Sequence, residues 1–281
     1  MGPCALPNQH RVSDFLPSPP WDPTSIMGMG TFPLDILLHI IDLLAGGDDE
    51  DIESQTLQTL SQVCKSMVPL CRKHLFSSLL LHGKEDSERF SNLLLKNPEI
   101  ARYVRNLNYR FYPPLSDHEL NVLDMLKKRS SFQSIQLSSP GTLDWDDFPE
   151  SIQSILVFLI QLPTVTHLDI DEIIGFPVSA LSGCSNLIDL RLGELTLDPP
   201  EVNQVISRSK ISTPVSLYMQ KITHGLAALL NSESLHVGGP IIDFSHLQKA
   251  VFDVESQDDI GQVNELIKVT SRLEHFNLNR E

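Results

Sequence analysis

The chain has 281 residues, 41 % of them hydrophobic, enough for one or two ordinary cores and too apolar for a disordered chain. Its 36 acidic and 21 basic residues leave a net charge of −15. That charge repels phosphate backbones and anionic lipid, so neither nucleic acid nor a membrane surface is expected as a partner.

Cys4, Cys64, Cys71 and Cys184 are scattered and form no CxxC pair. A disulfide framework is not expected, and a reducing compartment, cytoplasm or nucleus, fits better. No Asn-x-Ser/Thr acceptor is present, and the N-terminus lacks the basic-then-apolar pattern of a secretory signal. The longest apolar run, residues 155–160, is far short of the ~20 residues of a membrane span.

Residues 1–30 hold six prolines and read as a flexible tail. Thr31 is a plausible N-cap, with Pro33 and Asp35 in the first turn. Leu34, Leu37, Leu38, Ile41 and Leu44 then follow at helical spacing, and Gly46-Gly47 ends the run. The acidic residues 48–53 read as a solvated loop. A second helical stretch spans about 55–76, with Leu57, Leu60, Val63, Cys64, Met67, Leu70, Cys71 and Leu75 on one face. Pro69 predicts two shorter helices meeting near Val68. Residues 86–95 form another amphipathic helix, stopped by Asn97-Pro98.

Beyond Tyr103 a signature recurs, apolar-x-x-apolar-x-apolar. It appears at Val104-Leu107-Tyr109, Phe132-Ile135-Leu137, Val165-Leu168-Ile170 and Leu187-Leu190-Leu192. Weaker copies centre on Leu217, Leu235, Ala250 and Phe276. Helix-like segments lie between most copies, at about 117–129, 151–162, 201–209, 224–231 and 259–271. Alternating strand and helix builds a parallel sheet. Successive copies are 15 to 33 residues apart, and the short gaps near Leu235 predict a return by loop or a single helical turn. The strands alternate, as in Thr166-His167-Leu168-Asp169-Ile170, so one face is buried and the other open. The expected fold is α/β: a helical segment at 31–80, then an irregular leucine-rich-repeat-like solenoid with a parallel sheet at 81–281. A doubly wound α/β domain is the alternative, although its strands would be more continuously apolar. No capping element follows Leu278, so a frayed or sticky C-terminal edge, or a truncated gene product, is expected.

No catalytic group stands out. Gly28-Met29-Gly30 is a fragment of a dinucleotide loop with Pro33 where the last glycine belongs. There is no GxSxG and no HExxH. Cys64, Cys71 and His74 share a helical face but lack the close pairs of a zinc site. Asp144, Asp146 and Asp147, with Asp169, Asp171 and Glu172 one repeat later, could attract a cation, although such clusters on an acidic chain are more often plain solvated surface. No catalytic residue, metal or cofactor is expected. An enzyme would need a pocket joining Asp144, Asp169 and a histidine.

Residues 32–76 resemble the F-box family. FPLDILLHIIDLL is similar to its leucine-proline start and first helix, and TLQTLSQVCKSMVPLCRKHLF to its second half. The stretch NPEIARYVRNLNY resembles the passage from F-box to repeats in fungal F-box proteins. Met67 stands where the family often has tryptophan, and the link from Leu44 to Leu57 is longer than usual. The resemblance implies a non-catalytic subunit that docks the Skp adaptor of a cullin ubiquitin ligase and presents a protein substrate. The implied docking residues are Phe32, Pro33, Leu34, Ile36, Leu37, Ile40, Leu57, Leu60, Val63, Cys64 and Met67. The substrate face expected from strand alternation comprises Asn106, Asn108, Ser134, Gln136, His167, Asp169, Asp189 and Arg191. The competing reading is a stand-alone interaction scaffold whose helical segment is a degenerate N-terminal cap.

Overall fold

The computed structural model describes residues 34–45, 50–63, 65–198, 211–220, 225–231 and 240–280. The chain divides into two compact units, residues 1–40 and 41–281. In the first, the described part is the opening of helix α1 (Leu34–Leu44). The expected tail, the Thr31 cap and Pro33 lie outside the described residues.

The second unit continues α1 and adds α2 (Glu50–Val63) and α3 (Met67–Leu75). Two expectations are corrected here. Residues 50–53 are the first turn of α2 rather than a loop; a helix N-terminus carries partial positive charge and suits acidic residue types. The break between α2 and α3 comes before the expected junction at Val68. Pro69 sits in the first turn of α3, where a backbone N–H would have no intrahelical acceptor, so proline costs little there.

Strands and helices then alternate: β1 (Ser78–His82), α4 (Gly83–Lys96), a 3-10 turn at Pro98–Tyr103, β2 (Asn106–Arg110), α5 (Asp117–Arg129) and β3 (Ser134–Asp144). A 3-10 turn at Trp145–Asp147 leads to α6 (Glu150–Ile160), β4 (His167–Ile174), β5 (Phe176–Pro177), α7 (Val178–Leu181), β6 (Asp189–Leu192) and β7 (Leu197–Asp198). The last elements are β8 (Ser216–Gln220), α8 (Gly225–Asn231), a 3-10 turn at Phe244–His246, β9 (Lys249–Val254), α9 (Gln257–Val269) and β10 (His275–Arg280).

Eight of these strands form one parallel sheet in the order β1-β2-β3-β4-β6-β8-β9-β10, while β5 and β7 pair separately. The fold is α/β. Space order follows chain order throughout, unlike a doubly wound sheet, whose order reverses at a switch point.

One hydrogen-bond device starts nearly every strand. The Ser77 carbonyl accepts from Arg105 N and Asn106 N, and the Arg105 carbonyl from Gln133 N and Ser134 N. The same forked bond recurs one strand later at Gln133, Thr166, Ile188, Val215 and Gln248. Each strand is thereby indexed on its predecessor, which fixes the register.

The apolar signature positions are the core. Leu107, Tyr109, Ile135, Leu137, Leu168, Ile170, Leu190, Leu192, Leu217, Met219, Ala250 and Phe252 are all buried. Leu94, Val122, Leu126, Leu156 and Leu159 of the helices close over them. Each fully buried leucine or phenylalanine side chain is worth roughly 1.5–3 kcal/mol. Beyond the strand ends, rings run from repeat to repeat: Tyr109 on Phe111 at 4.4 Å, Phe111 on Phe148 at 4.6 Å, and Trp145 on Phe148 and Phe176 at 5.4 and 4.9 Å.

Two further expectations change. The sheet begins at β1, so the boundary at residue 80 falls inside a strand; Leu79-Leu80-Leu81 is a continuous apolar triplet that hides the alternation. The weak copy around Leu235 lies outside the described residues, as does the helix expected at 201–209. β8 pairs directly with β9, Leu217 opposite Ala250, so no separate strand divides them. Helix α8 falls within the helical segment expected at 224–231 and is longer than the single turn that the short gaps suggested. No described helix is long and apolar enough to cross a membrane.

Candidate functional site

The residues implied to dock an adaptor separate by burial. Phe32, Pro33 and Cys64 lie outside the described residues, and Leu34 opens α1. Ile36 and Ile40 are exposed and Leu37 is half-buried. Leu60 is half-buried, and Val63 is 68 % exposed. Leu57 and Met67 are buried and cannot meet a partner. Helical spacing put them on one apolar stripe with Leu60 and Val63, and packing among the helices consumes part of that stripe. Leu43, which is not among the implied docking residues, is 64 % exposed, and Leu44 beside it is exposed too.

Asp42 fastens the end of α1 to α3. Its Oδ1 lies 2.8 Å from His74 Nε2 and 3.5 Å from Lys73 Nζ. The hydrogen bond from His74 holds the Asp42 carboxyl below its ordinary range, helped by the charge of Lys73. Cys71 is fully buried, as a core residue should be. His74 is engaged with Asp42, and Cys64, the third member of that triplet, lies outside the described residues.

The eight residues expected on the substrate face fall into two rows across the sheet. Asn106, Ser134, His167 and Asp189 stand in register, and so do Asn108, Gln136, Asp169 and Arg191. All are exposed or half-buried, while their strand neighbours are buried. The rows continue into residues the sequence reading did not select. Ser216, Lys249 and His275 extend the first, and Tyr218, Val251 and Asn277 the second. The signal was present: these positions flank Leu217, Ala250 and Phe276 as Asp189 and Arg191 flank Leu190.

A groove of about 370 Å³ opens on this face, lined among others by Asp169, Asp171, Asp189, Arg191, Tyr218 and Lys249. Arg191 Nε donates to Asp189 Oδ2 at 3.1 Å. The Tyr218 hydroxyl donates to Asp253 Oδ2 at 2.8 Å, and Asn108 Nδ2 donates to Gln136 Oε1 at 2.7 Å. Burial pushes the Asp169 carboxyl up to about 6; Arg191 opposes the shift, and Asp171 and Asp189 add to it. Asp171 Oδ1 accepts from Glu194 N at 3.0 Å and lies over Gly193, where any Cβ would collide with the carboxylate. Any larger residue at that turn must displace the Asp171 carboxylate.

The groove offers carboxylates beside two cations and hydrogen-bonding side chains, a combination that suits a polar peptide surface rather than an apolar ligand. Asp144, expected beside Asp169 in an enzymatic pocket, instead caps the 3-10 turn by accepting from Asp146 N at 3.0 Å. Neither Asp144 nor a histidine lines the groove. Among the described residues no three His, Cys, Asp or Glu side chains converge as metal ligands. No family model, curated protein or solved structure matches the chain.

Proposed function

We propose that the chain is a substrate-recognition subunit of a Skp–cullin ubiquitin ligase: the helices α1–α3 dock the Skp adaptor, and the open face of a leucine-rich-repeat-like sheet holds a protein substrate. The carrying observation is the exposure of Leu43, Leu44 and Val63 on helices next to a sheet domain with its own complete core. Large apolar side chains left exposed in this way suit a surface that meets a partner. The resemblance of residues 32–76 to the F-box names that partner, and the polar groove supplies a place for a substrate.

The test is co-elution of the full chain with purified Skp adaptor. The wild type is expected to bind, and Leu43→Asp to lose binding with an unchanged unfolding midpoint. A wild-type chain that ignores the adaptor at micromolar concentration defeats the proposal.

One observation favours a second reading, a stand-alone scaffold with a helical cap. Met67 and Cys71 of α3 are buried, and α3 packs against the 3-10 turn Pro98–Tyr103 of the sheet domain. On that reading the adaptor does not bind, and deleting residues 34–75 unfolds the sheet.

A further inference from the structure

The groove on the open face holds two opposite charges that the sheet itself leaves unpaired. At its β4 side Asp169 is half-buried, and among the described residues no hydrogen-bond donor or ion-pair partner engages its carboxylate. The groups around it are engaged elsewhere. On β3, Gln136 accepts from Asn108. On β6, Arg191 Nε is held by Asp189. On β4 itself, Asp171 accepts from Glu194 N, and His167 Nδ1 pairs with the Thr166 hydroxyl. Burial pushes the Asp169 carboxyl up to about 6, so at neutral pH the fold carries a charge it would be more stable without. Carboxylates in that condition are found at binding sites. At the opposite side of the groove, Lys249 of β9 is exposed, and among the described residues no acceptor engages its ammonium. Between the two lie Ser216 and Tyr218 of β8, with the Tyr218 hydroxyl fixed by Asp253. Strands β4, β6, β8 and β9 are consecutive in the sheet, and Lys249 stands two residues before the position in register with Asp169. Three strand spacings of ~4.8 Å with that offset set the two backbone positions ~16 Å apart.

We propose that the groove takes an extended segment of a protein substrate laid across the strands, with a lysine or arginine of the segment on Asp169 and an aspartate or glutamate four residues away on Lys249. In an extended chain residues i and i+4 face the same way and lie ~13 Å apart, and the length of a basic side chain closes the remainder. The residue midway between them then faces Arg191 and Tyr218. A purely acidic segment would meet Asp169, Asp171 and Asp189 with like charge, and a purely basic one would meet Arg191 and Lys249. A segment carrying both signs in this order pairs each unpaired group with its opposite. The proposal rests on the reading of the open face as the substrate surface and names the class of substrate; it does not depend on the adaptor.

The experiment pans the immobilised full chain with a random peptide library, using Asp169→Asn and Lys249→Glu as parallel baits. Both variants are expected to fold, since the first removes a destabilising charge and the second changes an exposed side chain. Peptides lost on either variant depend on the groove, and they are expected to carry a basic and an acidic residue four positions apart. A synthetic peptide of that consensus should weaken roughly tenfold or more on Asp169→Asn. On Lys249→Glu it should weaken about fivefold, and replacing its acidic residue with lysine should restore binding to that variant alone. Moving the two charged residues to adjacent positions should cost as much as losing one of them. Affinity for the wild type should fall roughly tenfold between about pH 7.5 and about pH 5 as Asp169 takes up its proton, and much less for Asp169→Asn, where only His167 still titrates nearby. Groove-dependent peptides that are uniformly acidic, uniformly basic or apolar, or a consensus peptide indifferent to Lys249→Glu, would overturn the inference and leave the substrate-face reading standing. A library that yields no groove-dependent peptide overturns both. Failure of the chain to co-elute with the Skp adaptor would overturn neither.

Discussion

The Tyr109 hydroxyl donates a 3.0 Å hydrogen bond to Oε1 of Glu119, and both residues are buried. The other carboxylate oxygen, Oε2, accepts from Ser116 N at 2.6 Å and Ser116 Oγ at 3.0 Å, forming the capping box of α5. One carboxylate thus ties strand β2 to the start of the helix that covers it. Burial raises the Tyr109 phenol well above its ordinary range, the charge of Glu119 adding to the effect, so it remains a donor at any working pH. Asp259 and Ser256 repeat the capping arrangement at α9.

Removing this tie should be costly. Glu119→Ala leaves a buried hydroxyl without its acceptor and uncaps a helix, so a loss of about 2–4 kcal/mol is expected in urea unfolding. Tyr109→Phe removes only the hydroxyl, keeps the ring contact with Phe111, and should cost about 1–2 kcal/mol.

Asp169 should make stability fall as pH rises. Its folded value of about 6 lies above the ordinary 3.8, so the folded chain binds this proton more tightly than the unfolded one. Its unfavourable contribution is absent below about pH 4 and complete above about pH 6. Because the carboxyl is only partly shielded from water, Asp169→Asn should stabilise by on the order of 1–2 kcal/mol at pH 7 and by almost nothing at pH 4. Denaturant titrations of both proteins at the two pH values provide the check.

Gly193 and Asp171 should behave as a coupled pair. Gly193→Ala places a methyl group against the Asp171 carboxylate, and a cost of roughly 1–3 kcal/mol is expected. Removing the carboxylate first, with Asp171→Ala, should relieve most of that cost. A double-mutant cycle with a coupling near zero would contradict the contact.

The ring series across the repeats should act as one structural unit. Phe148 is buried and contacts both Phe111 and Trp145. Phe148→Ala should cost about 3–5 kcal/mol, with loss of near-ultraviolet circular dichroism from Trp145 as the local readout.

Much of this molecule follows from local pattern. Helix α5 matches its expected span at both ends, and its start is set by Ser116 and Glu119, a capping box three residues apart in sequence. Strands β2, β3, β4 and β6 follow from the alternation around Leu107, Ile135, Leu168 and Leu190, since period two needs only neighbouring residues to read. The same alternation put Asn106, Gln136, Asp169 and Arg191 on the open face, before any pairing was known.

Tertiary structure decided the rest, because burial and register depend on residues far apart in the chain. Leu57 and Val63 are alike in sequence, on one helical stripe, yet packing buries the first and exposes the second. β1 is a strand through its register with β2, Ser78 opposite Asn106, although its own apolar triplet has no alternation. Asp169 became a distinctive carboxylate only when folding buried it and brought Asp189 close, against the opposing charge of Arg191 across the ladder. Composition determined that the chain is acidic, and short-range periodicity determined which side of each strand is apolar. Long-range pairing determined which polar residues share a groove and which apolar residues remain exposed.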